Sequence, residues 1–500
     1  MLFHSFEFVV VFLPAVIVAF YALRRFAPTP AVIGLLVVAS LFYYGWWNPR
    51  YLLLILGSIA GNYAFGQVLE KFCRQGRIAR GRWALGLGVA ANLGVLGYFK
   101  YANFFIANIN WAAGAALPSV DIVLPLAISF FTFQQIAYLV DVHQGLAEEH
   151  DILQYALFVS FFPQLIAGPI VHHGEMMPQF RKPESFRFHA ESFAEGAAIF
   201  FLGMFKKVAL ADNLAPYADQ VFGAAQAGNE ITLFAAWGGA LSYTFQLYFD
   251  FSAYSDMAIG LALMFGIRLP RNFAAPYQAT SIIDFWKRWH MTLSRFLKAY
   301  VYIPLGGNRR GVGRRHLNIL ATMLLGGLWH GASWTFVAWG AVHGIFLVVN
   351  HAWRRFVPGN AALAESRLWR LAAWVLTFAA VVASWVLFRA ESFAAAVLVL
   401  KGMAGASGAL LPIQVVQALP WLGHFVSGAA LVPYLAGGTV IGLLQMGAFL
   451  LLSFAIVGFG RPLDEMSQPR RLVLLVVTFA YSMQVVLFGG KSHEFIYFQF

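Results

Sequence analysis

The sequence predicts an all-α, polytopic integral membrane protein, and three observations carry that prediction. Of the 500 residues, 60% are hydrophobic and 11% are charged, against about a quarter charged in an ordinary soluble domain. Apolar runs long enough to cross a bilayer, about 20 residues each, recur along the whole chain. The basic residues behind the net charge of +12 stand in short loops between those runs. There they read as topology signals facing anionic lipid, so no nucleic-acid partner is expected. Mean hydropathy is +0.68, and no stretch is polar and long enough to form a separate soluble domain.

The first four spans are placed at roughly 6–23, 31–47, 51–69 and 84–99. The opening run, MLFHSFEFVVVFLPAVIVAFYALRR, lacks a basic leader and carries Glu7 early. It therefore reads as a retained helix rather than a cleaved signal. Arg24 and Arg25 follow the first run, and Lys71, Arg74, Arg77, Arg80 and Arg82 follow the third. These two odd-numbered loops share a side, and their basic excess makes that side cytoplasmic. The N-terminus is then periplasmic and the membrane a bacterial inner membrane. The single cysteine, Cys73, lies in one of these loops and excludes an internal disulfide or a multi-cysteine metal site.

From residue 100 the pattern is less regular. Residues 101–111 read as an interfacial helix. The run 125–140 carries Gln134 and Gln135, which at membrane depth must face protein or a water-filled cavity. The run 155–171 contains FFPQLIAGPI, and two prolines and a glycine there predict a broken or re-entrant segment ending at His172 and His173. A polar loop at 174–192 leads to a helix at 193–210 that ends with Lys206 and Lys207. Residues 231–249 and 252–267 read as two helices interrupted at Asp250.

Residues 277–303 are strongly aromatic and carry Lys287, Arg288, Arg295 and Lys298. They are expected as amphipathic helix at the cytoplasmic interface, with His290 inside it. After the loop GGNRRGVGRR come runs at 317–330 and 333–350, separated by Gly331 and Ala332. The C-terminal part adds runs at 368–388, 392–404, 425–457 and 471–489. The total is eleven to twelve membrane-embedded segments, with no internal repeat of the kind many transporters carry.

His330 is the first chemical candidate. An imidazole suits general base work on a hydroxyl, and this one closes an apolar run where lipid would make it costly. Gly326, Gly327 and Gly331 beside it are expected to let substrate approach. The bland reading is a histidine bonded to a carbonyl or standing at the interface. His290, in KRWHMTLS, is second, with an ordinary interfacial histidine as its alternative. His343 stands 13 residues after His330, on another face of a continuous helix, and ranks below both. Asp250 and Asp256 are expensive where they sit, at roughly 2.5–3.5 kcal/mol for a central carboxylate. They would pair with Arg268 or Arg271, orient a histidine, or carry protons; a structural pair is the plainer reading. HExxH, GxSxG and P-loop signatures are missing. Adjacent histidines alone do not make a metal site, so no metal is expected.

Three blocks carry a resemblance: YFDFSAYSDMAIGLALMFGIRLPRNFAAPY, DFWKRWHMTLSRFLKAYVYIPLGG and GGLWHGASWTFVAWGAVHG. Together they resemble the membrane-bound O-acyltransferase (MBOAT) family, in its bacterial alginate O-acetylase-like branch. The N-terminal MLFHSFEFVVVFLP, the FFPQLIAGPI segment and the terminal FIYFQF extend the likeness over nearly the whole chain. The resemblance implies helices tilted around a central funnel. It implies one O-acyltransferase domain over 1–500, with N-terminal helices at 1–111, a catalytic core at 112–350 and C-terminal helices at 351–500. It makes the histidine of WHG, His330, catalytic and the histidine of RWHMTLS, His290, the second functional position.

On that basis the chain is expected to move an acetyl group from a cytoplasmic thioester, acetyl-CoA, for O-acetylation of an exopolysaccharide such as alginate. No bound cofactor is expected, and a periplasmic or membrane-anchored acetyltransferase is the expected partner. Arg288, Arg309 and Arg310, with Arg314 and Arg315, are candidates for the donor's phosphates, a solvated topology loop being the alternative for the last four. The competing classes are a polysaccharide or lipid-linked sugar transporter, which Asp250, Asp256 and the broken helices would suit, and a structural subunit of an export complex.

Overall fold

The structure is a computed structural model that describes residues 1–148, 151–356, 366–424, 426–430, 432–460, 468–489 and 494–496. The four N-terminal runs fold close to where their hydropathy places them. They are α1 (Leu13–Phe26, preceded by a π turn over Glu7–Phe12), α2 (Thr29–Gly45), α3 (Leu52–Arg74) and α4 (Ile78–Leu96). α4 runs on through a second π turn, Gly97–Tyr101, into α5 (Ala102–Ala113), which stops at Gly114 with φ +60°. Such left-handed backbone is cheap for glycine.

α6 (Ile128–His143) keeps both of its glutamines buried and bonded. Gln134 Nε2 donates to the Phe158 carbonyl at 2.7 Å, and Gln135 Nε2 donates to Ser58 Oγ at 2.8 Å. The next run breaks as its prolines predict, into α7 (Ile152–Ser160), a single turn α8 (Phe162–Leu165), an extended stretch, and α9 (His173–Phe180). The backbone freed by the breaks is satisfied by protein: Phe162 N–H donates to Ser40 Oγ and Ile170 N–H to Thr292 Oγ1, each at 3.0 Å. That is what non-helical backbone at membrane depth requires.

The centre of the bundle is made by α10 (Ala190–Phe205), a π turn over Lys206–Ala211, α11 (Asp212–Gln226) and the 32-residue α12 (Leu233–Met264). α12 does not break at Asp250, contrary to the expected interruption, because Lys207 neutralises that carboxylate at 2.6 Å. α10 and α12 approach through small residues. A Cβ on Gly196 would strike the Gly260 carbonyl, and one on Gly203 would sit 2.8 Å from the Ala253 carbonyl, the close approach typical of helix pairs in lipid.

Residues 277–303 form two short helices rather than one amphipathic helix: α13 (Ile282–Arg288) and α14 (Met291–Leu297), with a π turn over Lys298–Tyr302. α15 (Gly311–His330) and α16 (Trp334–Phe356) then pack against each other. The C-terminal part contains α17 (Arg367–Arg389) and α18 (Phe393–Met403). A two-stranded parallel pair, β1 (Leu410–Pro412) and β2 (Gly428–Ala430), brackets α19 (Ile413–Ala418). α20 (Val440–Phe459) and α21 (Gln468–Phe488) complete it. The run expected at 425–457 is helical only from Val440, because Gly437 and Gly438 take φ +67° and +70° just before it.

By length and composition, 5 helices of the described residues can each cross a membrane: Glu7–Phe26, Pro49–Arg74, Trp334–Phe356, Arg367–Arg389 and Val440–Phe459. Three shorter apolar helices accompany them, Thr29–Gly45, Phe393–Met403 and Leu472–Phe488. The protein is a multi-pass helical membrane protein. The expected count of eleven to twelve embedded segments also includes shorter or more polar helices, α12 among them, which a measure of length and composition leaves out.

Candidate active site

α15 brings His330 from a basic loop to the floor of a chamber. At 1.5 Å per residue, its twenty residues separate Gly311 from His330 by about 30 Å. The chamber holds about 490 Å³ and is bordered by His330, Trp329, Lys100, Ser129 and Met1 among others. The His330 ring is held edge-on by aromatic neighbours, with centroids 5.3 Å from Trp339, 5.2 Å from Phe388 and 4.9 Å from Trp329. Behind it, a small void of about 10 Å³ is lined by Phe251, Trp289, Trp339 and Trp385. His330 thus has a chamber on one side and an aromatic wall on the other.

His290 stands against this wall, its ring centroid 6.3 Å from that of His330. It is fully buried and sits between α13 and α14 with φ +43°. The expectation of a place within a helix is corrected here. A non-glycine residue held in the left-handed region is uncommon and is retained where the surroundings fix it. Asn272 does the fixing: its Oδ1 accepts from the Thr292 hydroxyl at 2.9 Å and from the Thr292 N–H at 3.3 Å, so His290 Nδ1 donates to it at 3.2 Å. With the proton on Nδ1, Nε2 is the acceptor nitrogen of a singly protonated ring.

Two further features of the site had no signal in the sequence. Lys100 Nζ donates to the carbonyls of Trp329 at 2.6 Å and His330 at 3.1 Å and to Ser129 Oγ at 3.3 Å, and the Tyr101 hydroxyl donates to the Leu328 carbonyl at 2.8 Å. Glu494, near the C-terminus, borders the chamber of His330 and also a second cavity of about 500 Å³ lined by Ser333, Thr335, Phe388 and Arg389. The adjoining Phe495 and Ile496 are buried. The rest of FIYFQF, from residue 497, lies outside the described residues.

A family model described as MBOAT, membrane-bound O-acyltransferase family, matches residues 144–390, which run from just after α6 and include both histidines and α16. The peptidoglycan O-acetyltransferase of Helicobacter pylori is 44% identical over 441 residues, covering 82% of this chain and 81% of that protein. The probable alginate O-acetylase AlgI of Pseudomonas aeruginosa is 44% identical over 399 residues, covering 78% and 72%. A teichoic acid D-alanyltransferase of Streptococcus thermophilus is 29% identical over 246 residues, covering 46% and 57%. The chain belongs to the membrane-bound O-acyltransferase family. It is a membrane O-acyltransferase.

Within this MBOAT fold the other sequence candidates separate from the site. His343 is saturated: Trp286 Nε1 donates to its Nδ1 at 3.2 Å, its Nε2 donates to Ser384 Oγ at 2.9 Å, and Ser384 donates on to the Val381 carbonyl. Asp250 and Asp256 pair with lysines and not with Arg268 or Arg271. Lys207 holds Asp250 at 2.6 Å and Asp212 at 2.9 Å, while Lys206 holds Asp256 at 2.5 Å. The plainer reading of these carboxylates is the one the geometry favours.

The glycines around His330 serve packing, not the substrate access expected of them. A Cβ on Gly327 would meet the Phe336 carbonyl and Gly340, one on Gly331 would overlap the Phe336 ring, and one on Gly326 would press on Leu297 at 3.1 Å.

Of the arginines, Arg288 is engaged by Asp284 at 3.0 Å and by the Ala274 carbonyl at 3.3 Å. Arg309 and Arg310 are exposed at the far end of α15 from His330, so the structure does not bring them to the histidines. His172 and His173 part company: His172 Nδ1 meets the Tyr300 hydroxyl at 3.0 Å, while His173 packs on Tyr138 and Phe158. Among the described residues, no three His, Cys, Asp or Glu side chains gather closely enough to hold a metal ion.

Proposed function

We propose that this MBOAT protein is an O-acetyltransferase of a bacterial inner membrane, with its N-terminus in the periplasm. It takes an acetyl group from a cytoplasmic thioester, acetyl-CoA in the simplest case, for esterification of a polysaccharide hydroxyl outside. The observation that carries this reading is His330 at the chamber floor with His290 6.3 Å behind it. The relatives named for O-acetylation of peptidoglycan and of alginate support the acetyl group and a polysaccharide acceptor. An exopolysaccharide such as alginate is the acceptor we propose, reached through a periplasmic or membrane-anchored acetyltransferase partner.

His330 takes the proton of the attacking hydroxyl as its oxygen bonds to the thioester carbonyl. The C–S bond then breaks, and the proton passes to the departing thiolate. His290, anchored by Asn272, orients the donor or steadies the oxyanion. Arg309 and Arg310 on the basic face meet the donor's phosphates, since Arg288 is already engaged by Asp284. A transport role has less to stand on, because the carboxylates it would use are each locked to a lysine.

The test is thioester cleavage by the purified protein in nanodiscs, with labelled acetyl-CoA and with and without the envelope partner. Wild type should cleave the thioester, and His330→Ala should lose at least about 100-fold. Equal cleavage by both would make His330 a structural histidine.

A further inference from the structure

We propose that Lys100 and Tyr101 are positioning residues for His330: together they form a side-chain cap, supplied from another helix, on the end of α15. This rests on His330 being the reacting base. The last carbonyls of a helix have no partner within it. α15 ends abruptly at Gly331, which is extended, and among the described residues no backbone N–H returns to cap it. Three consecutive carbonyls, of Leu328, Trp329 and His330, are instead taken by two neighbouring side chains, Tyr101 on the first and Lys100 on the other two. An ammonium has three N–H donors, and the third goes to Ser129 Oγ. None is left for a ligand, which is why the role is to place His330 and not to bind substrate.

The charge belongs to the design. All three partners of Lys100 are neutral, and the cation stands at the negative end of the α15 dipole, where a positive group is stabilised within the last turn. The ammonium also lies 5.9 Å from the centre of the Trp329 ring. The π turn over Gly97–Tyr101 that presents the pair is a device often found at functional sites. The turn follows directly on α4, so the cap ties the N-terminal helices to the residue that does the chemistry. Without it, these carbonyls lose their side-chain donors and the end of α15 can shift, and displacing a reacting group by about 1 Å costs on the order of 100-fold in rate.

The experiment is steady-state cleavage of labelled acetyl-CoA by the full chain in nanodiscs, comparing wild type, His330→Ala, Lys100→Ala, Lys100→Arg and Tyr101→Phe. Lys100→Ala should lower kcat by roughly 10- to 100-fold with the donor KM nearly unchanged. Lys100→Arg should recover much of the loss. Lys100 is half-buried beside the chamber, so added ethylammonium should restore part of kcat to Lys100→Ala where ethanol does not. Tyr101→Phe should show a smaller loss of the same kind.

Wild-type kcat in Lys100→Ala, or a loss that neither Arg nor ethylammonium repairs, overturns the proposal while leaving a dead His330→Ala in place. If Lys100→Ala does not fold, Tyr101→Phe decides: a lowered kcat at constant KM supports the cap, and an unchanged kcat removes it. An active His330→Ala, or no cleavage by wild type, defeats the assignment of His330 and the role of Lys100 with it.

Discussion

Two clusters of polar side chains are buried in this bundle, and they are built on opposite plans. Around Lys207, charge is answered by charge: Asp250 at 2.6 Å, Asp212 at 2.9 Å, and backbone groups of Ile496 and Glu494 on the remaining lone pair and proton. Neither Lys207 nor Asp250 borders the chamber of His330 or the cavity beyond it. Around His330 the Lys100 amine is answered by neutral groups, two carbonyls and a serine, beside an asparagine on His290 and a ring of aromatic faces, and the cluster opens on 490 Å³ of space. A costly group in a membrane protein is thus kept in one of two ways. It is neutralised and closed off, or left polar at the edge of a cavity where a reaction can use it. In the sequence, the aspartates and the histidines both looked costly in apolar surroundings.

That contrast breaks most directly at its centres. His330→Ala should reduce acetyl transfer per folded molecule by about 100- to 10,000-fold while the protein remains in the membrane and melts within a few degrees of wild type. Asp250→Ala should do the reverse. It leaves Lys207 with Asp212 as its carboxylate and the Glu494 carbonyl, and a buried ion with a partner removed costs about 3–5 kcal/mol, read as a lower Tm and less extractable protein. Replacing the cluster together, with Lys207→Met, Asp250→Leu and Asp212→Asn, should recover most of that stability, because buried ion pairs often exchange for apolar groups at little cost. A triple variant no more stable than Asp250→Ala would mean that the charges do more than hold α11 and α12 to the π turn.

The membrane class, the first four helices, the breaks around Pro163 and Pro169 and the family were all legible in the sequence. Each rests on local composition: apolar run length, prolines without an N–H, and blocks specific enough to resemble one family. What stayed hidden is what only contact can supply. Asp250 looked like a helix break because its partner Lys207 is 43 residues away along the chain. The glycines of GGLWHG looked like room for substrate until α16 was seen pressed into them. Lys100 stood at the edge of an apolar run like any interfacial lysine. Nothing local marks it as the partner of a helix end 230 residues on. His290's left-handed backbone was equally invisible, since Trp289 and Met291 read as continuous amphipathic helix.

A finer cut lies between the two buried histidines of α15 and α16. His343 has both nitrogens bonded and touches neither chamber, so His343→Leu should leave kcat within about 2-fold of wild type. It strands the Trp286 N–H, which costs about 1–3 kcal/mol and appears in Tm. Loss of kcat in this variant without loss of Tm would move His343 into the reacting set and erase the difference between saturated and cavity-lining imidazoles.

The smallest expected effect concerns His172, in the extended stretch before α9. Tyr300 donates to Asp141 at 2.8 Å, so His172 Nδ1 donates to Tyr300. Burial first, and then the Arg295 guanidinium, hold its pKa below the ordinary imidazole value, against the opposing pull of Glu175 and Asp141. The unfolded chain then takes up a proton at a higher pH than the folded one. Stability is therefore complete above the unfolded value of about 6.5 and declines as pH falls through it, since the unfolded state gains protons first. His172→Gln should flatten that part of the Tm–pH curve while leaving acetyl transfer at neutral pH unchanged. An unaltered slope would assign the acid sensitivity to other groups. A loss of transfer would place the Asp141–Tyr300–His172 chain beside His330 among the groups the reaction uses.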